Sequence, residues 1–156
     1  MASSVQEAQR RRGVLGIGSA GAFQSGGPTL YLSTTLPLAA LEVLAHWADY
    51  YNLDGYGVFT VDPPDDFEFE RLPDDVNVRD AAACTAYGAA WLAEARTAAL
   101  VVPSVLMPAA CAERHVILNP RHPEFDQLLG GLRAHGPFVS DPRIKGALSS
   151  PDESLR

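Results

Sequence analysis

The sequence predicts a single α+β domain, and three observations carry that expectation. The chain has 156 residues, 47% of them hydrophobic, enough to bury one compact core. Stretches of period-two alternation and stretches of helical periodicity follow one another irregularly, strand beside strand in one place and strand beside helix in another, which points away from a doubly wound sheet. No internal repeat is visible, and the 13 Gly and 12 Pro are scattered as turns and not gathered into a linker. The expected domain spans residues 13–145, between a flexible basic N-terminus (1–12) and a flexible C-terminal tail (146–156).

Residues 13–29 hold seven glycines or prolines and read as a loop. Leu30 to Ser33 alternate as a short strand, with Tyr31 and Ser33 on one face and the leucines on the other. A helix should follow, capped by Thr34 or Thr35, with Pro37 in its first turn. It would run to about Tyr51 on a stripe of Leu38, Leu41, Ala45 and Ala48. Asn52 to Gly57 is turn chemistry. Tyr56 to Val61 and Phe67 to Leu72 read as strands separated by the turn Asp62-Pro63-Pro64-Asp65, with Phe67 and Phe69 alternating against Glu68 and Glu70. Residues 80–97 are alanine-rich and helical. Ala98 to Val102 and His115 to Leu118 are apolar strands, and Pro123 to Leu129 a short helix.

Composition excludes several classes. No apolar stretch reaches the roughly 18 residues of a membrane helix, and Arg10, Arg11 and Arg12 have no apolar core behind them to make a secretory signal. The expected location is the cytoplasm, where Cys84 and Cys111 remain reduced. The formal charge of −7 argues against direct nucleic-acid binding. Most of that charge falls in residues 62–75, seven acids against Arg71 alone. A solvated loop and edge strand is the plainer account of that run, and a docking face for a basic partner the sharper one. His46, His115, His122 and His135 lack zinc-site spacing and read as structural. The glycines of Gly13 to Gly18 match neither common nucleotide loop.

Three polar residues remain as candidates for chemistry. Glu42 lies in the apolar run Leu38 to Ala45, where a carboxylate is expected to be desolvated. Such acids are enriched at active sites, although pairing with His46 one turn on would also account for it. Tyr31 precedes that helix on the strand face opposite the leucines, where taken alone a half-buried sheet tyrosine is the plainer reading. Ser104 ends a buried strand, a frequent site position, or is a simple turn hydroxyl. It has no Gly-x-Ser-x-Gly elbow around it, so a hydrolase nucleophile is unsupported.

Taken together, these segments resemble the RES domain, a family named for its arginine, glutamate and serine. The first block stands as Gly21-Ala22-Phe23-Gln24-Ser25-Gly26-Gly27-Pro28-Thr29-Leu30-Tyr31-Leu32-Ser33, followed by Ala40-Leu41-Glu42-Val43. The second is Val102-Pro103-Ser104, then Asn119-Pro120-Arg121-His122-Pro123-Glu124-Phe125, with a closing segment from Phe138 to Arg143. Several blocks in one order, covering roughly residues 13–145, are far more specific than any one of them.

The resemblance implies a fold related to ADP-ribosyltransferase toxins. It also implies a toxin of a toxin–antitoxin pair that cleaves the nicotinamide–ribose bond of NAD+, as an NAD+ phosphorylase or glycohydrolase. NAD+ is then a substrate, phosphate a candidate co-substrate, and no resident cofactor or metal is required. The implied partner is an antitoxin with an Xre-like DNA-binding domain, and a homodimer within that complex is one arrangement it allows. Glu42, Tyr31 and Ser104 take the catalytic positions. Tyr31, Ser104, Asn119 and position 22 take the substrate-binding ones. The family's arginine falls on Ala22, which offers neither the charge nor the fork suited to a pyrophosphate. An inactivating substitution, a naturally impaired member, or compensation by Arg10, Arg11 or Arg12 would each account for this, and the intact surrounding block favours the first. The competing readings are an ADP-ribosyltransferase that modifies a host protein and a catalytically dead antitoxin-binding module.

Overall fold

The computed structural model describes residues 13–15, 29–46, 53, 56–139, 141 and 143. It is an α+β arrangement built on one seven-stranded mixed sheet. In chain order the elements are β1 (Gly13–Leu15), β2 (Leu30–Ser33), α1 (Leu36–His46), β3 (Gly57–Val61), β4 (Glu70–Arg71), α2 (Ala81–Glu94), β5 (Ala99–Pro103), β6 (Arg114–Leu118), α3 (Phe125–Leu129) and β7 (Leu132–Pro137). The strand order is β4-β5-β6-β2-β1-β3-β7. Every pairing is antiparallel except β4 with β5.

Alternation along the central strands builds two cores. Leu32, Ala99, Val116 and Leu118 belong to one buried cluster, with Phe67 and Leu128 packed against the same side. Leu100, Val102 and Ile117 belong to the other, covered by Cys84 and Trp91 of α2. The register explains the division. Tyr31 lies opposite Ile117, and Ile117 opposite Leu100, and residues directly opposite in a ladder share a face.

The helices begin where the sequence provides caps. Thr35 Oγ1 accepts from Leu38 N at 3.4 Å, so Thr35 is the cap, while Thr34 Oγ1 accepts from Arg114 N at 2.9 Å and ties the turn to β6. Asp80 caps α2, its carboxylate accepting from Ala82 N and Ala83 N. Cys84, Gly88 and Trp91, spaced four and three apart, form the buried face of α2. The indole Nε1 of Trp91 donates to Thr97 Oγ1 at 3.2 Å, and Thr97 donates on to the carbonyl of Ala99.

Four expectations need correction. The first is that residues 13–15 belong to a loop: they form β1, which pairs with both β2 and β3. The second concerns β7, which has no alternation to announce it. All six of its residues are exposed, and it forms because β3 offers an unpaired edge. Gly131 makes that approach feasible, since a Cβ there would lie 1.9 Å from the carbonyl oxygen of Asp62. The third is the strand from Phe67 to Leu72, which shrinks to Glu70–Arg71. Phe67 and Phe69 do share a side, their rings meeting edge to face at 5.1 Å. The two successive runs at 57–61 and 70–71 lie at opposite ends of the sheet, with no hairpin between them.

The fourth correction concerns α1. Its inward residues are Leu38 and Ala39, whereas Leu41 is 43% exposed and Ala45 is also exposed. The stripe of Leu38, Leu41 and Ala45 therefore does not mark the buried face. Ala48 and the proposed continuation to Tyr51 lie outside the described residues, as does the residue at position 22.

The acidic run takes the plainer of its two forms. β4 is an edge strand, and Asp65, Asp66, Glu68, Arg71, Asp74 and Asp75 are exposed. Charges on an edge also disfavour pairing with another chain. Asp62 and Glu70 are the exceptions, both half-buried. Glu70 accepts from Arg96 Nη2 at 2.7 Å and from Tyr87 Oη at 2.6 Å. The Arg96 guanidinium holds its carboxyl below the usual glutamate range, against the opposing effect of burial.

Two stability predictions follow from these contacts. Trp91→Ala is expected to cost about 3–5 kcal/mol through cavity formation, read as a lower denaturant midpoint at unchanged slope. Arg96→Ala is expected to lower the thermal midpoint at neutral pH. A carboxyl whose pKa is depressed by folding stabilises the native state above its unfolded pKa and loses that contribution as pH falls through its folded pKa. The two proteins should therefore converge in thermal midpoint on acidification, and a constant offset down to low pH would refute the assignment.

Candidate functional site

The site is built where α1, packed on β1 and β2, reaches the β2–β6 ladder. Ser33 and His115 sit opposite each other in the β2–β6 ladder. Their side chains meet, Ser33 Oγ lying 3.1 Å from His115 Nδ1. Both are buried, at 4% and 8% exposure. The other ring nitrogen, Nε2, lies 2.7 Å from Glu42 Oε1. That approach is close but off the line of the ring N–H, so it is a polar contact and not a straight hydrogen bond.

Glu42 reaches the sheet because it falls three and four residues after Ala39 and Leu38, on the same helix face. α1 packs on β1 and β2. The Glu42 side chain keeps 28% of its surface accessible, so it is less buried than the apolar run suggests. Its partner on the sheet is His115, a residue the sequence pattern assigned to structure. Ser33 was placed beside Tyr31 by alternation, but nothing singled it out. The available signal was polarity: an imidazole heading the buried run Val116-Ile117-Leu118 must find partners.

The other candidates fall around this pair. Tyr31 is two residues before Ser33 on the same face, about 7 Å along the strand. It packs against the cluster of Ile117, Leu100 and Val102, with its hydroxyl oxygen buried. Ser104 follows β5 in phase with Val102, at the end of the sheet that holds His115. It is 7% exposed, and its Oγ accepts from Leu106 N at 3.1 Å, the local turn contact. Asn119 lies at the far end of β6, four residues or about 13 Å from His115. It is 2% exposed and closes the turn to the following segment, Oδ1 accepting from Arg121 N at 3.0 Å. Glu42 meets the sheet at His115, and along the ladders Tyr31 lies to one side of the Ser33–His115 level and Ser104 to the other.

Chemically, the arrangement presents a partly accessible carboxylate beside a buried imidazole, with hydroxyls on the flanking strands. Among the described residues, no group of three or more His, Cys, Asp or Glu side chains is arranged to hold a metal ion. None of their helices is long and apolar enough to cross a membrane.

Residues 16–141 match the RES domain. Two relatives carry the name Toxin Res. One, from Photorhabdus laumondii, is 32% identical over 113 residues, covering 69% of this chain and 70% of that protein. The other, from Yersinia enterocolitica, is 34% identical over 125 residues, covering 77% of this chain and 80% of that protein. With the domain match spanning most of its length and such relatives on either side of a third identity, the chain belongs to the RES-domain family.

Proposed function

We propose that this protein is an enzymatic toxin that cleaves the nicotinamide–ribose bond of NAD+ in the cytoplasm and is held in check by an Xre-like antitoxin. The observation that carries the reading is Glu42, an accessible carboxylate held on the inward face of α1 against His115. Relatives named as toxins support the biological half of it.

The chemistry suits a lone carboxylate. The nicotinamide of NAD+ leaves as a neutral ring, taking the bonding electron pair and cancelling its own positive charge, so no acid need protonate it. Positive charge then develops on the ribose, as in glycoside cleavage, and a fixed carboxylate stabilises it. Phosphate or water adds to the anomeric carbon and completes phosphorolysis or hydrolysis. Tyr31 would line the nicotinamide side and Ser104 would donate its hydroxyl hydrogen to the nicotinamide or its ribose. Asn119 would support the site through the turn it closes.

Position 22 decides how active the chain is. An arginine there would clamp the pyrophosphate, and Ala22 cannot. This favours a second reading for the chain as it stands, an impaired enzyme that still engages its antitoxin. Modification of a host protein by ADP-ribose uses the same site and differs only in the acceptor.

Two experiments test the proposal. Ala22→Arg is expected to slow bacterial growth on expression and to release nicotinamide from NAD+ in a purified assay run with and without phosphate; no change in either would reject it. In that background, Glu42→Gln is expected to lower turnover on the order of a hundredfold. Undiminished turnover would remove Glu42 from the mechanism, and a mass shift on a host protein in place of free product would identify a transferase.

A further inference from the structure

We infer that His115, backed by Ser33, is a positioning residue that fixes the Glu42 carboxylate at the mouth of the β2–β6 face. The inference rests on the role given to Glu42 above, and it is carried by three features of the structure.

The first is the order of contacts. An ionised carboxylate only accepts hydrogen bonds. At 2.7 Å a lone pair on Nε2 would be repelled by that carboxylate, so the proton is favoured on Nε2. Nδ1 is left facing Ser33 Oγ at 3.1 Å. In the neutral ring the Ser33 hydroxyl donates to Nδ1, and this selects the tautomer with its proton on Nε2, the nitrogen 2.7 Å from Glu42 Oε1.

The second is rigidity. Ser33 and His115 are buried and directly opposite on hydrogen-bonded strands, whereas Glu42 is a long, partly exposed side chain on a helix. Position is thus imposed from the sheet outward. A glutamate without such a partner would spread over several rotamers and lose the geometry a reacting centre needs.

The third is the sense of the relay. A serine nucleophile activated by histidine must face substrate. Ser33 is 4% exposed, so it anchors the ring at the closed end, and the accessible end belongs to the carboxylate.

Two readouts test the inference. The first needs no turnover. Proton–nitrogen correlation spectra of the imidazoles in the unaltered chain are expected to show His115 protonated at Nε2. Its Nε2 resonance should move in Glu42→Gln, and its Nδ1 resonance in Ser33→Ala. A proton on Nδ1 alone, or an Nε2 resonance indifferent to Glu42→Gln, would overturn the relay.

The second readout is kinetic, in the Ala22→Arg background. Asparagine can replace Nδ1 but not reach Glu42, whereas glutamine places its amide nitrogen near the Nε2 position. His115→Asn is expected to lower kcat by about tenfold or more with KM within about twofold, on the order expected for loss of an interaction that matters in the transition state. His115→Gln should restore a clear part of that kcat. Equal losses in the two variants, or a loss confined to KM, would reject a positioning role. If Ala22→Arg releases no nicotinamide, the NAD+ reading fails and the spectra alone decide the relay.

Discussion

The antiparallel register of β2 against β6 is the constraint on which the site depends. It sets Ser33 opposite His115 and Tyr31 opposite Ile117. Side chains alternate along a strand, so a slip by one residue would turn Ser33 and His115 into the cluster around Leu32 and Val116. It would also bring Leu32 and Val116 to the face under α1. The register is held from several directions: Leu32, Val116 and Leu118 need one core, Ile117 and Tyr31 the other. At the end of the ladder, Thr34 exchanges bonds with Arg114 through both backbone and side chain.

That ladder also explains how a charged group is tolerated against the sheet. An isolated carboxylate on the inward face of α1 would face a desolvation cost with little to offset it. The imidazole of His115 offers a compact polar surface at that point, and Ser33 satisfies the ring from behind. The carboxylate keeps part of its hydration, its side chain being 28% accessible. The result is a group that is partly accessible and directionally held, the combination that electrostatic stabilisation of a developing cation requires.

The acidic run shows a different use of charge. It lines an exposed edge, and one of its two half-buried members, Glu70, is tied to Arg96 and Tyr87 across β4 and α2. This clamp lies at the edge strand, away from the β2–β6 face. The polar contacts at Glu42 and Glu70 therefore serve separate ends, one keeping a carboxylate at a site and the other closing a sheet margin.

The sequence alone was enough for the α+β class, β2, a threonine cap at Thr34 or Thr35, the alanine-rich helix that follows residue 80, the apolar strands β5 and β6, and the family to which Glu42, Tyr31 and Ser104 belong. These are local matters of alternation, capping and ordered motif, all carried by neighbours in the chain. β1 and β7 were beyond its reach, because each forms by pairing with strands distant in sequence. The inward face of α1 was beyond it too, since a helix apolar on most sides does not reveal which stripe meets the sheet. The partner of Glu42 was decided in the same way. His46 is one turn away in sequence, but His115, on a strand more than seventy residues later, is the imidazole whose Nε2 lies 2.7 Å from the carboxylate. Only packing α1 across the β2–β6 ladder could place it there, because the contact belongs to the tertiary arrangement and to no local segment.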